Sequence, residues 1–206
     1  MSSADRRTRL RPTRAETRAR LMDSGAELIA ERGVLGTTID EIVARAGLTR
    51  GAFYSNFKDR DDFVEAVSDQ RVEDSIARNR RALAETDGLN EYMVALRDDD
   101  TGVPLYIELM LHAIRNPDRR DVYAQRMHRL RNGLAPVVEQ AAIDAGIEGP
   151  IHAEKIVTML LALEDGLTLH RLIDPDRIPA STYFELASMI QAVYIAADRA
   201  GWRPDA

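Results

Sequence analysis

Between Thr37 and Arg60 the chain reads TTIDEIVARAGLTRGAFYSNFKDR, and its polar residues are of the kinds that hold nucleic acid. The guanidinium of Arg50 can bond guanine O6 and N7 together. Beside it Gly51 permits close approach, the Ala52 methyl can touch thymine, and Asn56 can bond a base edge or a phosphate. Thr38 and Thr49 stand where helices begin, so exposed backbone N–H groups and the helix dipole favour an anion there, and each hydroxyl can add a donor to a phosphate. Tyr54, Lys58 and Arg60 can hold the same strand further along, which fixes register without reading sequence. Covalent chemistry has no comparable set. There is no cysteine, so a thiolate nucleophile, a disulfide framework and a cysteine zinc site are excluded. His112, His128, His152 and His170 lack ligand spacing, no HExxH or EF-hand pattern occurs, and no glycine loop of phosphate-binding form precedes a helix. Asp98, Asp99 and Asp100 are consecutive, do not converge on one point, and read as a solvated acidic loop. No enzyme, metal or cofactor is expected. Two rival classes are a helical small-molecule enzyme, which lacks a catalytic constellation, and an adaptor without DNA binding, against which Arg50, Tyr54 and Lys58 stand.

The elements that must position these residues follow from local signals. Thr38 and Glu41 have capping-box spacing, so a helix starts there, and Ile39, Ile42, Val43 and Ala46 form its buried stripe. Gly47 supplies a residue able to take positive φ, Leu48 can plug the corner, and Thr49 caps a second short helix from Arg50 to about Asn56. Phe53 and Phe57, four apart, can face the core while Arg50, Gly51, Ala52, Tyr54 and Asn56 are left outside. Two short helices joined by a glycine turn are the arrangement that places a helix in the major groove. A preceding helix over Thr13 to Arg32 carries Leu21, Gly25, Leu28, Ile29 and Arg32 on one side, with Gly33 as its expected stop. Asp59 can open a long fourth helix bearing Phe63, Val64 and Val67.

In order and spacing, Gly33, Thr37, Thr38, Ile42, Ala46, Gly47, Leu48, Gly51, Phe53, Tyr54, Phe57 and Lys58 resemble the N-terminal signature of the TetR/AcrR family of transcriptional regulators. The likeness covers about sixty residues. It implies that Tyr54 and the basic residue after the short helix contact the DNA backbone. Arg60 stands where the family more often has Lys, and Ala52 where many members have Thr or Ser, so one hydroxyl contact is missing. The resemblance further implies a C-terminal regulatory domain that binds a small molecule, a homodimer, and repression as the common mode.

Charge is divided along the chain in a way that suits a polyanion at one end only. Residues 1–60 carry twelve Arg and Lys against eight Asp and Glu, a net of +4, whereas the remainder nets −10 and the whole −6. Arg6, Arg7, Arg9 and Arg11 precede the first helix and read as an arm that adds phosphate or minor-groove contacts. With 206 residues, 45 % hydrophobic and 30 % charged, the chain can bury a core. No apolar run approaches the ~20 residues that span a bilayer, and the Arg-rich start lacks a signal peptide's apolar segment, so no membrane partner and a cytoplasmic location are expected.

The expected fold is all-α: an arm over 1–12, a three-helix helix-turn-helix DNA-binding domain over 13–58, and a helical ligand-binding and dimerisation domain over 59–206. Within the last, helices are expected to about Glu85, over Glu91–Arg97, from Pro104 to Asn116, from Asp118 or Arg119 to about Ala145 with a kink at Pro136, and over Ile151–Ile173 and Ala180–Ala200. The last pair carries more apolar surface than one neighbouring core needs, and in the resembled family this pair forms a four-helix bundle with its twin. Leu160, Leu163, Gly166, Leu167, Ile190 and Tyr194 are the expected dimer contacts. Candidates for a ligand pocket, which the resemblance places among the middle helices, are Tyr92, Met93, Tyr106, Leu109, Met110, His112, Tyr123, Met127 and His128, because Met and aromatic side chains fill irregular apolar space. The partners so expected are a double-stranded, pseudo-palindromic operator, a small-molecule effector and a second copy of the chain, in a repressor or, on the same fold, an activator.

Overall fold

The computed structural model describes residues 12–85, 102–144, 146–147, 152–179 and 181–201, and these form eight α-helices with no strand among them. The helices are α1 Arg14–Gly36, α2 Ile39–Ala46, α3 Arg50–Tyr54, α4 Arg60–Ala84, α5 Val103–Arg115, α6 Pro117–Asp144, α7 Ala153–Ile173 and α8 Ser181–Arg199. The all-α expectation is met. The arm through Arg11, the expected helix over 91–97, Asp98 to Asp100, and the pocket candidates Tyr92 and Met93 lie outside the described residues. Contacts divide the chain into two compact units, one of residues 1–68 with 104–115 and one of 69–103 with 116–206.

In the first unit the starts of α1, α2 and α3 are closed by threonine side chains. Glu16 N–H donates to Thr13 Oγ1 while the Thr13 N–H donates to Glu16 Oε2 at 2.7 Å, a reciprocal cap that holds the Glu16 carboxyl below its ordinary range. Gly33 stops the first helical run at Arg32, as expected, and a second short run follows it across a bend. It takes φ 77 and ψ 164, a region open to glycine alone, and the helical run resumes through Val34 to Gly36. A Cβ at Gly33 would also stand 2.6 Å from the Glu108 carboxylate of α5. Beneath these ends lies a core of Leu21, Leu28, Ile29, Val34, Ile42, Val43 and Ala46 with Phe53, Phe57 and Phe63, whose rings meet at 4.9–5.5 Å between centroids. Burying each of the larger side chains contributes ~1.5–3 kcal/mol, so this core rather than helix propensity holds the short helices α2 and α3 in place. Gly25 leaves the room that the Phe63 ring fills, which brings α1 against α4. Leu105 and Leu109 of α5 complete the cluster.

The second unit is built on Val72 and Ile76 of α4, Leu130 and Leu134 of α6, and Val157 of α7, with Met127, Val138 and Leu161 packed against them. Gly133 allows the close approach of α6 to α4, since a Cβ there would sit 2.6 Å from Ile76 Cδ1. On the same helix face Arg126, only 5 % exposed, places Nε 2.9 Å from Asp69 Oδ1, and Arg129 reaches the same oxygen. Burial raises the Asp69 carboxyl's proton affinity, yet the two guanidinium groups outweigh it and hold that carboxyl below its ordinary range. α6 continues through Pro136 to Asp144, and α7 packs on both α6 and α8.

Candidate nucleic-acid interface

The helix that would meet DNA is only Arg50–Tyr54, so it depends on what grips its two ends. At its start Thr49 Oγ1 accepts from the Ala52 N–H at 3.2 Å. At its end arginines of α1 take up the orphan carbonyls: Arg14 Nη2 donates to the Ser55 carbonyl at 3.2 Å and Arg18 Nη1 to that of Asn56 at 3.3 Å. The Arg18 guanidinium also lies 4.4 Å above the Phe57 ring, and Arg20 donates to the Ala46 carbonyl that ends α2. Sequence reasoning misses this. The arginine excess of α1 is in part internal bracing at helix C-termini, where cations are favoured, and an arginine count cannot distinguish the two uses.

Gly47, at φ 63 and ψ 38, reverses the chain after α2, and the residues exposed by that turn are those singled out from the sequence. Phe53 is fully buried and carries the helix. Around it Thr49, Arg50, Gly51 and Tyr54 are exposed and Ala52 is half-buried. The Arg50 side chain is 61 % exposed, with Nε 3.4 Å from Asp40 Oδ1 on α2. Tyr54 is 52 % exposed, its ring set edge-on to Phe53. A Cβ at Gly51 would meet only Thr49 Oγ1, at 3.7 Å, so nothing in the chain's own packing requires glycine there. Lys58 has no ion pair among the described residues, although its backbone N–H donates to Asp62 Oδ2 at 2.9 Å.

Residues 21–67 match the family model of bacterial regulatory proteins, tetR family, and residues 87–190 match that of the BetI-type transcriptional repressor, C-terminal. The chain belongs to the tetR family. It is accordingly a DNA-binding transcriptional regulator of helix-turn-helix type and not an enzyme. It is 26 % identical over 175 residues to the HTH-type transcriptional regulator TtgR of Pseudomonas putida, spanning 79 % of this chain and 83 % of that one. Its fold is shared with a protein of Pseudomonas aeruginosa PAO1 whose crystal structure is assigned to a transcriptional regulator, at TM-score 0.72 and 20 % identity over 94 % of this chain and 97 % of the other. It is shared also with the transcriptional regulator FadR of Bacillus subtilis in complex with stearoyl-CoA, at TM-score 0.65 and 16 % identity over 83 % and 96 %.

Within this tetR-family head, three of the expected contact residues are engaged elsewhere. Arg60 donates through Nε to the Thr37 carbonyl at 3.0 Å and through Nη2 to that of Val34. It ties the bend after Gly33 to the start of α4 instead of lying ready for phosphate. Thr38 accepts from the Glu41 N–H and gives its own proton to Glu41 Oε2 at 2.7 Å, so its hydroxyl has no proton left for phosphate and a carboxylate already occupies the helix start. Hydrogen bonds from Thr38 hold that Glu41 carboxyl below its ordinary range. Asn56 donates through Nδ2 to the Ala52 carbonyl at 2.8 Å, and its Oδ1 is buried with no partner, so the side chain is turned inward rather than toward a base. Thr49, Arg50, Gly51, Tyr54 and Lys58 remain exposed, with Ala52 half-buried among them.

The regulatory candidates divide between the two units. Tyr106, Leu109, Met110 and His112 lie on α5 in the first, and Tyr123, Met127 and His128 on α6 in the second. Leu109, 3 % exposed, is one of the first unit's core residues. Met127 packs on the second core and His128 is exposed. On the last two helices Leu160, Leu163, Gly166, Leu167, Ile190 and Tyr194 are each half-buried. Exposed apolar neighbours adjoin them: Met159, Leu169, Leu172 and Ile173 on α7, Met189 and Val193 on α8. Apart from its chain neighbours and its own helix backbone, no atom of the described residues lies within 4 Å of where a Gly166 Cβ would be. Among the described residues no helix is long and apolar enough to cross a membrane.

Proposed function

We propose that this regulator is a cytoplasmic repressor that binds a pseudo-palindromic operator as a homodimer and is released by a small molecule. The observation that carries the reading is α3, a helix too short to stabilise itself, which buries only Phe53 and directs Thr49, Arg50, Gly51, Ala52 and Tyr54 outward. Arg50 reads guanine, Gly51 and Ala52 admit the major-groove wall, and Thr49, Tyr54 and Lys58 fix the phosphates. Two such helices in a symmetric dimer address half-sites about one turn, ~34 Å, apart. The apolar face of α7 and α8 supports the dimer, because monomers rarely leave so many large apolar side chains together in water.

The proposed organisation is an arm over 1–12, a DNA-reading domain over 13–58 and a regulatory domain over 59–206. A ligand-bound neighbour such as FadR supports an effector site in the regulatory part, for which Tyr123 and Met127 on α6 are the described candidates. α4 runs unbroken from Arg60 to Ala84, from the DNA-reading unit into the other, so an effector that favours one position of α4 changes the spacing of the two reading helices. Selection of duplexes from a random pool by purified protein tests the reading. A two-fold symmetric site should emerge, Arg50→Ala should flatten its preference at particular positions, and Lys58→Ala should weaken all sequences alike while lowering the salt slope by about 1. A pool that returns no preferred sequence would sink the operator assignment.

A further inference from the structure

We infer that Asp40 is a positioning residue that sets operator specificity by holding Arg50 in its base-reading pose, a role that rests on the assignment of Arg50 above. α2 opens with two acids, and they have separate tasks. Glu41 closes the cap with Thr38 and pairs with Arg32 at 2.6 Å. Arg45, at the other end of α2, is held by Glu31 and Glu27. Asp40 is one residue earlier than Glu41 and therefore about 100° round the helix, and its partner is Arg50, across the Gly47 turn. Both side chains are about two-thirds exposed, so the pair contributes little to folding, and solvent alone gives no reason for it.

The contact is made to Nε, and that choice of atom matters. A guanidinium offers two edges for bidentate bonding, one of Nε with an Nη and one of the two Nη groups. A carboxylate 3.4 Å from Nε stands beside the first edge as an ion pair without a hydrogen bond, and leaves the second along the side chain, where guanine O6 and N7 are read. The same carboxylate keeps Arg50 from folding back to a phosphate, the competing anion along the whole groove. Asp40 thus lowers affinity for every sequence, because a negative charge faces DNA, and raises the difference between right and wrong bases. Loss of the charge should reverse both effects.

The test uses full-length protein, the duplex that wild type selects from a random pool, and all single-base variants of that duplex, titrated at several salt concentrations. Arg50→Ala identifies the base position that Arg50 reads, through a loss of roughly 5- to 150-fold in discrimination there. Asp40→Ala and Asp40→Asn should reduce discrimination at that same position by at least about threefold, bind non-cognate duplex as tightly as wild type or tighter, and steepen the salt dependence by up to about 0.9 as Arg50 turns to phosphate. Asp40→Glu should keep most of the preference. Melting temperatures of all variants guard against a folding effect. If Asp40→Ala keeps wild-type discrimination where Arg50→Ala loses it, or if it weakens all duplexes equally, the positioning role is wrong and Arg50 still reads the base. If Arg50→Ala leaves every position unchanged, the base-reading assignment itself falls, and the role of Asp40 with it.

Discussion

The outward face of α3 contains a residue whose identity the chain itself does not need. Gly51 lies at the surface in ordinary helical conformation, with space for a methyl group. Alanine there should leave the melting temperature unchanged or raise it, since Gly costs up to ~1 kcal/mol against Ala in a helix, yet operator affinity should fall because the added methyl meets the groove. Titration of a selected duplex alongside a thermal melt separates the two, and an Ala variant with full affinity would remove Gly51 from the interface. Arg60 should behave in the opposite manner. Its guanidinium satisfies the Val34 and Thr37 carbonyls, and charged hydrogen bonds of this kind contribute ~1.5–3 kcal/mol where they are shielded from water. Arg60→Ala should therefore lower the chemical-denaturation midpoint of the DNA-reading unit, whereas Lys58→Ala should not; equal stability of the two variants would return Arg60 to the phosphate contacts. The distinction was not legible in the sequence. Arg60 and Lys58 are both basic residues flanking the same motif, and only the folded backbone shows that one of them faces two carbonyls left open by a bend. Thr38 and Thr49 differ for a similar reason: both are caps by spacing, but only Thr38 has a glutamate three residues on to take its proton.

Helix boundaries at the DNA-reading end were legible because caps are local. Thr38 with Glu41, Thr49 and Gly47 each act within a few residues, and each stands where spacing placed it; sequence reasoning misses the Thr13–Glu16 cap, which has the same spacing. Gly33 was half legible: glycine announces positive φ, but resumption of the helix over Val34 to Gly36 depends on Val34 being drawn into the core. The place of α5 was not legible at all, since the stripe of Leu105 and Leu109 says that they are buried and not against what. The caps also carry a pH dependence. Hydrogen bonds from Thr38, then the charge of Arg32, stabilise the ionised form of Glu41, so its folded-state pKa lies below its unfolded value. Stability from such a group is fully present above the ordinary carboxylate range and is lost as pH falls through that range toward the lowered folded value. Glu41→Gln keeps an acceptor for the cap but cannot ionise. Its melting temperature should fall below that of wild type at neutral pH and converge with it in acid. A gap that persists unchanged in acid would mean that the charge of Glu41 does not matter to α2.

Over the whole chain, the acidic excess beyond residue 60 keeps DNA to one end, while the apolar excess is concentrated on the last two helices, where Leu169, Leu172 and Ile173 of α7 and Met189 and Val193 of α8 stand exposed. Gly166 is the sharper indicator. In the middle of a 21-residue helix it destabilises the chain by ~1 kcal/mol relative to alanine, and among the described residues no neighbouring element lies close enough to explain it. A helix of a second copy crossing at Gly166 would supply the missing reason, because absence of a side chain lets two backbones approach. Gly166→Leu has room within one chain, so the variant should fold with a melting temperature at dilute concentration no lower than that of wild type. In the dimer the same side chain would force the helices apart. Sedimentation equilibrium should then show the self-association weakened by tenfold or more, ~1.4 kcal/mol or above by the usual conversion of equilibrium constants. Val193→Asp, which places a charge on the exposed face of α8, should give the same monomer without touching α7. Both variants should lose preference for the symmetric site over an isolated half-site, since each reading helix then binds alone. If Gly166→Leu associates as tightly as wild type while Val193→Asp does not, the contact runs along α8 and leaves α7 at its edge; if both associate normally, the dimer is built on another surface.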